Sequence, residues 1–337
     1  MTDDRSRAAA FRERTRGATV ELPYAGLKTF LKADPGDVES VGEGDVAVLG
    51  VPYDGAVSNR PGARYGPAAV REASAWWAYL SGYKGGLTNV RTGERVDHSR
   101  LSVVDCGDVP VFPMDRERTA ESVTAHVATA AARGATPVVL GGDHYCTFPA
   151  FRGFAEGSDH DSVGLVQIDA HTDTVAESAV FGEHFHGSST HHVADTPHAD
   201  YGHVSQVGIR GYEDPGFFEF ADETGLNLFT MGEVRDRGVG PVVEEAVAAA
   251  AAGTDAVYVT FDVDAVDPGV APGTGTPEPG GLTADQALTV METLGSHDAV
   301  AAADLMEVAP TLDPTDNTAR LGANLLVALL ERRFAEA

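Results

Sequence analysis

The sequence predicts an α/β fold, with eight parallel strands in one sheet and helices on both faces. Three observations carry this. From about residue 46 onward, short runs rich in apolar and β-branched residues alternate with helix-length segments. The runs are close to continuously apolar, as strands buried on both faces require. Three of them, TPVVLGGDH, SVGLVQIDAHTD and AVYVTFDVDAVDP, end in polar clusters, and parallel sheets bind ligands at the carboxyl ends of their strands. A closed eight-stranded barrel fits the same count.

The elements follow in order. A strand is expected at 46–52, then a helix at 66–80 opened by Pro67. A strand at 101–109 precedes a helix at 115–134 that stops at Gly134. The strand TPVVLGGD leads into a short helix, TFPAFRGFA, and SVGLVQIDA into a long irregular stretch, 172–203. Next come a strand in VSQVGIRG, a helix at 214–224, a strand in LNLFTM and a helix at 232–252. DAVYVTFDVD is a strand followed by a Gly/Pro-rich loop, 265–282. ADQALTVMETLG is a helix, DAVAAADLMEV a strand, and 315–335 a closing helix. Residues 1–20 are polar and charged and read as a mobile or weakly helical arm, which leaves 21–337 as one domain.

Composition narrows the function. Acidic residues outnumber basic ones 51 to 24, for a net charge of -27, and only Lys28, Lys32 and Lys84 are lysines. The acid is spread along the whole chain, which reads as adaptation to high salt. Nucleic acid is an unfavourable ligand for such a surface. The first seventeen residues hold no apolar core of a signal peptide, and no apolar run is long enough to span a bilayer. Cys106 and Cys146 form no C-x-x-C pair and read as buried small side chains, which fits a reducing cytoplasm.

Six residues stand out: His144 in Gly-Gly-Asp-His, then Asp169, His171 and Asp173 in Asp-x-His-x-Asp, and Asp262 and Asp264 in Asp-x-Asp. If the strands stay extended, side chains at i, i+2 and i+4 face one way. Four carboxylates gathered at one sheet edge repel one another, and a pair of divalent metals resolves that conflict. Mixed imidazole and carboxylate donors favour Mn²⁺, Fe²⁺, Ni²⁺ or Zn²⁺ over Ca²⁺, and the carboxylate excess tilts the choice to Mn²⁺. Two such ions activate water for hydrolysis. Taken singly, each motif has a plainer reading, such as an N-capping Asp143 or a solvated carboxylate pair.

The motifs resemble the ureohydrolase family of arginases, agmatinases and related amidinohydrolases. The resemblance covers most of the chain and rests on GVPYDGAVSNRPGARYGPAAVREAS (50–74), VVDCGD, GGDH, DAHTDT, QVGIR, TFDVDAVDP, APGTGTPEPGGLT and DLMEVAP. The first two look more like agmatinases than arginases. The resemblance implies a three-layer α/β/α sandwich with an eight-stranded parallel sheet, assembled as a homotrimer or homohexamer. It also implies two Mn²⁺ ions per chain, with Ni²⁺ as the other candidate. One would be held by His144, Asp169, Asp173 and Asp262, the other by Asp169, His171, Asp262 and Asp264. Activated water would attack a guanidinium carbon to give urea and an amine, assisted by Asp173. Glu307, in DLMEVAP, would pair with the guanidinium, and His186, in His-Gly-Ser-Ser, would pass a proton to the leaving amine.

The chain departs from the agmatinase pattern at Ser188–His192 and at Tyr145–Cys146, where the substrate tail would lie. Stretch 172–203 carries six of the twelve histidines, with Glu177 and Glu183 and no Lys or Arg. A carboxylate tail would want a cation, which only Arg60, Arg64, Arg210 or a neighbouring subunit could bring. Agmatine therefore leads among guanidino substrates, ahead of guanidinobutyrate, guanidinopropionate, arginine and guanidine. Two other classes stay open: a single-zinc deacetylase-like amidohydrolase and a non-catalytic relative. The pair Asp262 and Asp264 beside His144 favours two ions, and retention of all six ligands with Glu307 favours an enzyme.

Overall fold

Runs such as VGLVQI and AVYVTFD can hide every side chain only inside a sheet covered on both faces. The computed structural model, which describes residues 21–334, builds that sheet. The expected arm at 1–20 and the last residue of the closing helix lie outside the described residues. Nine parallel strands form one sheet: β1 (Asp34–Pro35), β2 (Val46–Gly50), β5 (Val103–Asp108), β6 (Thr136–Leu140), β7 (Val163–Ile168), β8 (Val204–Ile209), β9 (Asn227–Thr230), β10 (Ala256–Asp262) and β11 (Val300–Met306). Two short strands, β3 (Leu87–Thr88) and β4 (Arg95–Val96), pair antiparallel as a separate hairpin.

All eight expected strands are present, so the count of eight is corrected only by β1 in the main sheet. Its two residues are too few to show a pattern, and Pro35 suits the sheet edge it occupies. The order is β1-β5-β2-β6-β11-β10-β7-β8-β9. Two open edges, β1 and β9, replace the barrel alternative.

Every residue of β2, β7 and β10 is buried. Alternate side chains feed two separate cores, one on each face. Val46, Val48, Val257 and Val259 join one, while Ala47, Leu49, Ala256 and Tyr258 join the other. These two cores under two helix layers make the three-layer sandwich.

The helix expected at 232–252 is two helices, Met231–Arg237 and Val239–Ala251, broken at Gly238, whose φ of 85° is left-handed. Stretch 172–203 holds a short helix, Ser189–Ala194, and 3-10 turns at His186–Ser188 and Tyr201–His203. Among the described residues, no helix is long and apolar enough to cross a membrane.

One buried ion pair fixes the edge of the sheet. Arg71, on the helix Gly66–Lys84, donates from Nε to Asp105 Oδ2 at 2.9 Å and from Nη2 to Oδ1 at 3.0 Å, joining that helix to β5. Four central neighbours, β6, β11, β10 and β7, then end side by side. The residues beyond their carboxyl ends include His144, Glu307, Asp264 and Asp169.

Candidate metal centre

Two identical local turns build the centre. The Asp169 carboxylate accepts the His171 amide at 2.7 Å, and the Asp262 carboxylate accepts the Asp264 amide at 2.8 Å, each through Oδ1. These Asx turns stop the strands from staying extended. Alternation along a strand is therefore not what aligns the motifs, because β7 ends at Ile168 and Asp173 has a left-handed φ of 50°. With Oδ1 occupied, the two Oδ2 atoms face His144, whose Nδ1 lies 2.9 Å from Asp169 Oδ2 and 3.2 Å from Asp262 Oδ2. Asp173 Oδ2 is also 2.9 Å from that nitrogen.

His144, Asp169 and Asp173 thus offer one set of converging donors, and Asp169, His171 and Asp264 a second. His171 Nδ1 is 3.1 Å from Asp264 Oδ2 and 3.6 Å from Asp169 Oδ1. Asp169 belongs to both sets, one oxygen to each. Asp262 stands beside the first set through Oδ2 but is not part of either tight triplet.

Supporting contacts aim these donors. The His144 ring hydrogen-bonds Thr260 Oγ1 from Nε2 at 2.9 Å, which turns Nδ1 inward. Asp169 Oδ2 accepts from Gln167 Nε2 at 2.7 Å. Asp264 accepts from the Ala170 amide at 3.2 Å and from Thr276 Oγ1 at 3.1 Å. The short helix Ser189–Ala194 grips Asp173: the Thr190 and His191 amides donate to its carbonyl, and Ser189 Oγ donates to its carboxylate.

Gly141 and Gly142 serve close approach. A Cβ would fall 1.8 Å from Met306 Sδ at the first and 1.6 Å from the Tyr53 carbonyl at the second. Asp143 does not cap with its side chain. Its carboxylate accepts the Ala56 amide at 2.7 Å, and burial pushes its pKa up to about 7, with the charge of Glu307 adding.

The electrostatics show what this arrangement demands. Burial, then the neighbouring carboxylates, pushes Asp262 and Asp264 above the usual range. Burial acts the same way on Asp169, but His144 and His171 outweigh it and hold Asp169 low. His171 is raised to about 12, since Asp264 and Asp169 outweigh its burial. His144 Nδ1 is buried with no hydrogen bond of acceptable geometry, although three carboxylate oxygens surround it. A nitrogen aimed into carboxylates without a hydrogen bond fits a metal ligand, and the donor set fits divalent ions of the Mn²⁺ to Zn²⁺ type.

A cavity of about 250 Å³ opens over the site, with Ser58, His171, Asp173, His186, Glu213, Asp262 and Thr276 in its wall. His186 Nδ1 lies 2.8 Å from Glu307 Oε1, and the Ser58 amide donates to His186 Nε2 at 3.0 Å. Ser58 Oγ lies 2.6 Å from the same nitrogen and can accept a proton from it. Burial favours the neutral ring, but Glu307 outweighs it and raises the pKa to about 9, so the ring holds a proton near neutral pH. Glu307 Oε1 also accepts the His144 amide at 3.1 Å, whereas Oε2 is buried with no partner among the described residues. Glu307 and Asp173 are two of the five described non-glycine residues with positive φ. Such strain collects at functional sites.

All eight residues singled out in the sequence therefore meet at one sheet edge. Sequence reasoning missed Ser58, Gln167, Thr260, Thr276 and Glu213. Gln167 and Thr260 carry a signal, a polar residue inside an otherwise apolar strand, and Glu213 follows the end of β8. Ser58 carries none. Cys146 is buried as expected, whereas Cys106 is only half-buried; both are free thiols.

Fold and site together define a chain able to hold metal ions where a parallel sheet meets an open cavity. Comparison with known proteins supplies the family. The arginase family model matches residues 44–331, and the chain belongs to that family of ureohydrolases. It is 39% identical over 299 residues to a mitochondrial agmatinase of Gallus gallus, covering 87% of this chain and 82% of that one. A mitochondrial guanidino acid hydrolase of Homo sapiens is 36% identical over 289 residues, covering 85% and 77%. Among solved structures, proclavaminate amidino hydrolase from Streptomyces clavuligerus superposes with a TM-score of 0.80 at 32% identity, covering 94% of this chain and 99% of that one.

Proposed function

We propose that the chain hydrolyses agmatine to urea and putrescine, with Mn²⁺ as the metal. His144, Asp169, Asp173 and Asp262 would hold one ion, and Asp169, His171, Asp262 and Asp264 the other. When bound, the two ions supply an activated water and balance the carboxylate charge.

The chain's own residues do the rest. Glu307 receives the guanidinium on its unpartnered Oε2, as a planar cation suits a planar anion. Oε1 is already committed to the His144 amide and His186, which fixes the carboxylate plane. Asp173, held by Ser189, accepts the proton of the attacking water. His186, in the wall of the cavity and hydrogen-bonded through both ring nitrogens, passes a proton to the departing amine.

One observation carries the choice of agmatine: among the described residues, the cavity wall contains no Lys or Arg and does contain Glu213. A neighbouring cavity of about 450 Å³ shares Val175 and Glu213 and adds Glu177 and Asp214. The three arginines that could have served an anionic tail are engaged elsewhere. Arg64 pairs with Asp54, Arg60 donates to the Thr274 carbonyl, and Arg210 donates to the carbonyls of Asp264 and Glu278. A cationic tail suits these walls better than a carboxylate. We further propose a cytoplasmic enzyme, adapted to high salt and assembled as a homotrimer or homohexamer.

The test is urea release by Mn²⁺-loaded protein in high salt. Agmatine, guanidinobutyrate, guanidinopropionate, arginine and guanidine are compared in parallel. Agmatine should give the highest kcat/KM. A higher value for either carboxylate-tailed compound would overturn the substrate while leaving the site intact.

A further inference from the structure

The histidines around His186 exceed what the reaction uses. His184 precedes it by two residues, and His192 follows on the short helix Ser189–Ala194. His184 Nδ1 and His192 Nε2 lie 2.9 Å apart, and their ring centroids 4.5 Å apart.

Those two distances together are informative. In a head-on hydrogen bond of 2.9 Å, each ring centre lies about 1.1 Å behind its nitrogen, so the centres would be about 5.1 Å apart. The observed 4.5 Å, with the ring planes 38° apart, means the contact is bent and not head-on. Two imidazoles bound at about 2.05 Å to one ion, at about 90° to each other, have nitrogens about 2.9 Å and ring centres about 4.5 Å apart. Both observed values match. His192 Nε2 donates to the Glu183 carbonyl at 2.9 Å, so an ion bound at that nitrogen displaces the proton and leaves the oxygen beside it.

We infer that His184 and His192 form a third metal site, outside the paired centre, for a square-planar or octahedral ion of the Ni²⁺ or Cu²⁺ type. Both rings are half-buried, so the site is braced and yet open to solvent ions. Phe148 lies 5.1 Å from His192, and Tyr145 lies 5.8 Å from His184, which limits how far either ring can turn. Burial and the neighbouring histidines hold His192 below the usual range, in the neutral form that ligates metal. No Lys or Arg in 172–203 competes for the place. An ion here ties residue 184 to residue 192, and so braces the segment that carries His186 and the Ser189 that holds Asp173. The inference does not depend on which guanidino compound is the substrate.

The experiment uses tag-free, Mn²⁺-loaded protein equilibrated with Ni²⁺ and freed of loose metal, with both elements counted per chain. Wild type should hold one Ni²⁺ in addition to its manganese, and Ni²⁺ should raise its Tm. His184→Gln and His192→Gln should each lose that nickel and the rise in Tm, while keeping manganese. Three results would overturn the site: no added nickel in wild type, nickel gained only as manganese is lost, or nickel retained by both variants.

Discussion

Glu307→Gln isolates the residue proposed to read the guanidinium. Oε1 accepts from the His144 amide at 3.1 Å and from His186 Nδ1 at 2.8 Å, so that position must remain an oxygen. In the variant the amide oxygen takes it, and the NH₂ group replaces Oε2, the buried oxygen with no partner. A guanidinium offers only donors, so a donor then faces donors. The charge that opposes the cation is lost as well. A charge-assisted hydrogen bond contributes about 1.5–3 kcal/mol. Taking about 3 kcal/mol for the buried site, kcat/KM should fall roughly 150-fold. Glu307 touches His144 through its backbone and not its ring, so manganese content should not change. Urea release is measured across agmatine concentrations, with metal counted in the same samples. A kcat/KM within about threefold of wild type, at equal manganese, would refute this role for Glu307.

Other substitutions test the remaining parts. Asp262→Ala should strip metal and abolish urea release; full turnover with both ions in place would remove Asp262 from the ligand set. His186→Ala should cut turnover by about 10²-fold or more with metal content unchanged, as loss of a general acid does, and unaltered turnover would exclude that part. Gly142→Ala drives a Cβ to 1.6 Å from the Tyr53 carbonyl, which should lower stability by about 1–3 kcal/mol and weaken manganese retention by shifting His144. Arg71→Met leaves the buried Asp105 carboxylate without its guanidinium. Denaturant unfolding should then show a loss of about 3–5 kcal/mol, and a change under about 1 kcal/mol would contradict that reading of the pair.

The strands were legible because each is a contiguous run whose burial on both faces shows in local composition. Their carboxyl ends then located His144, Asp169 and Asp262 without any knowledge of strand order, whereas Glu307 came only from the family resemblance of DLMEVAP. What local composition could not give was how the motifs turn. Asp169 and Asp262 align their neighbours through side-chain turns to the amide two residues on, and Asp173 needs a left-handed backbone. The break at Gly238 was written in Gly238-Val239-Gly240-Pro241, a turn signal outweighed by the alanine run that begins at residue 246. Strand β1 is held by only two residues of pairing with β5. Ser58 and Thr276 reach the site from distant loops, so only the tertiary structure reveals them.

The central claim is that two ions at this sheet edge are what make the chain a guanidino hydrolase. The most direct measurement titrates metal-free protein with Mn²⁺ and follows bound manganese and urea release from agmatine together. The account predicts that activity rises with occupancy and reaches its plateau at two ions per chain. Full activity at one ion per chain, or without any, would contradict it.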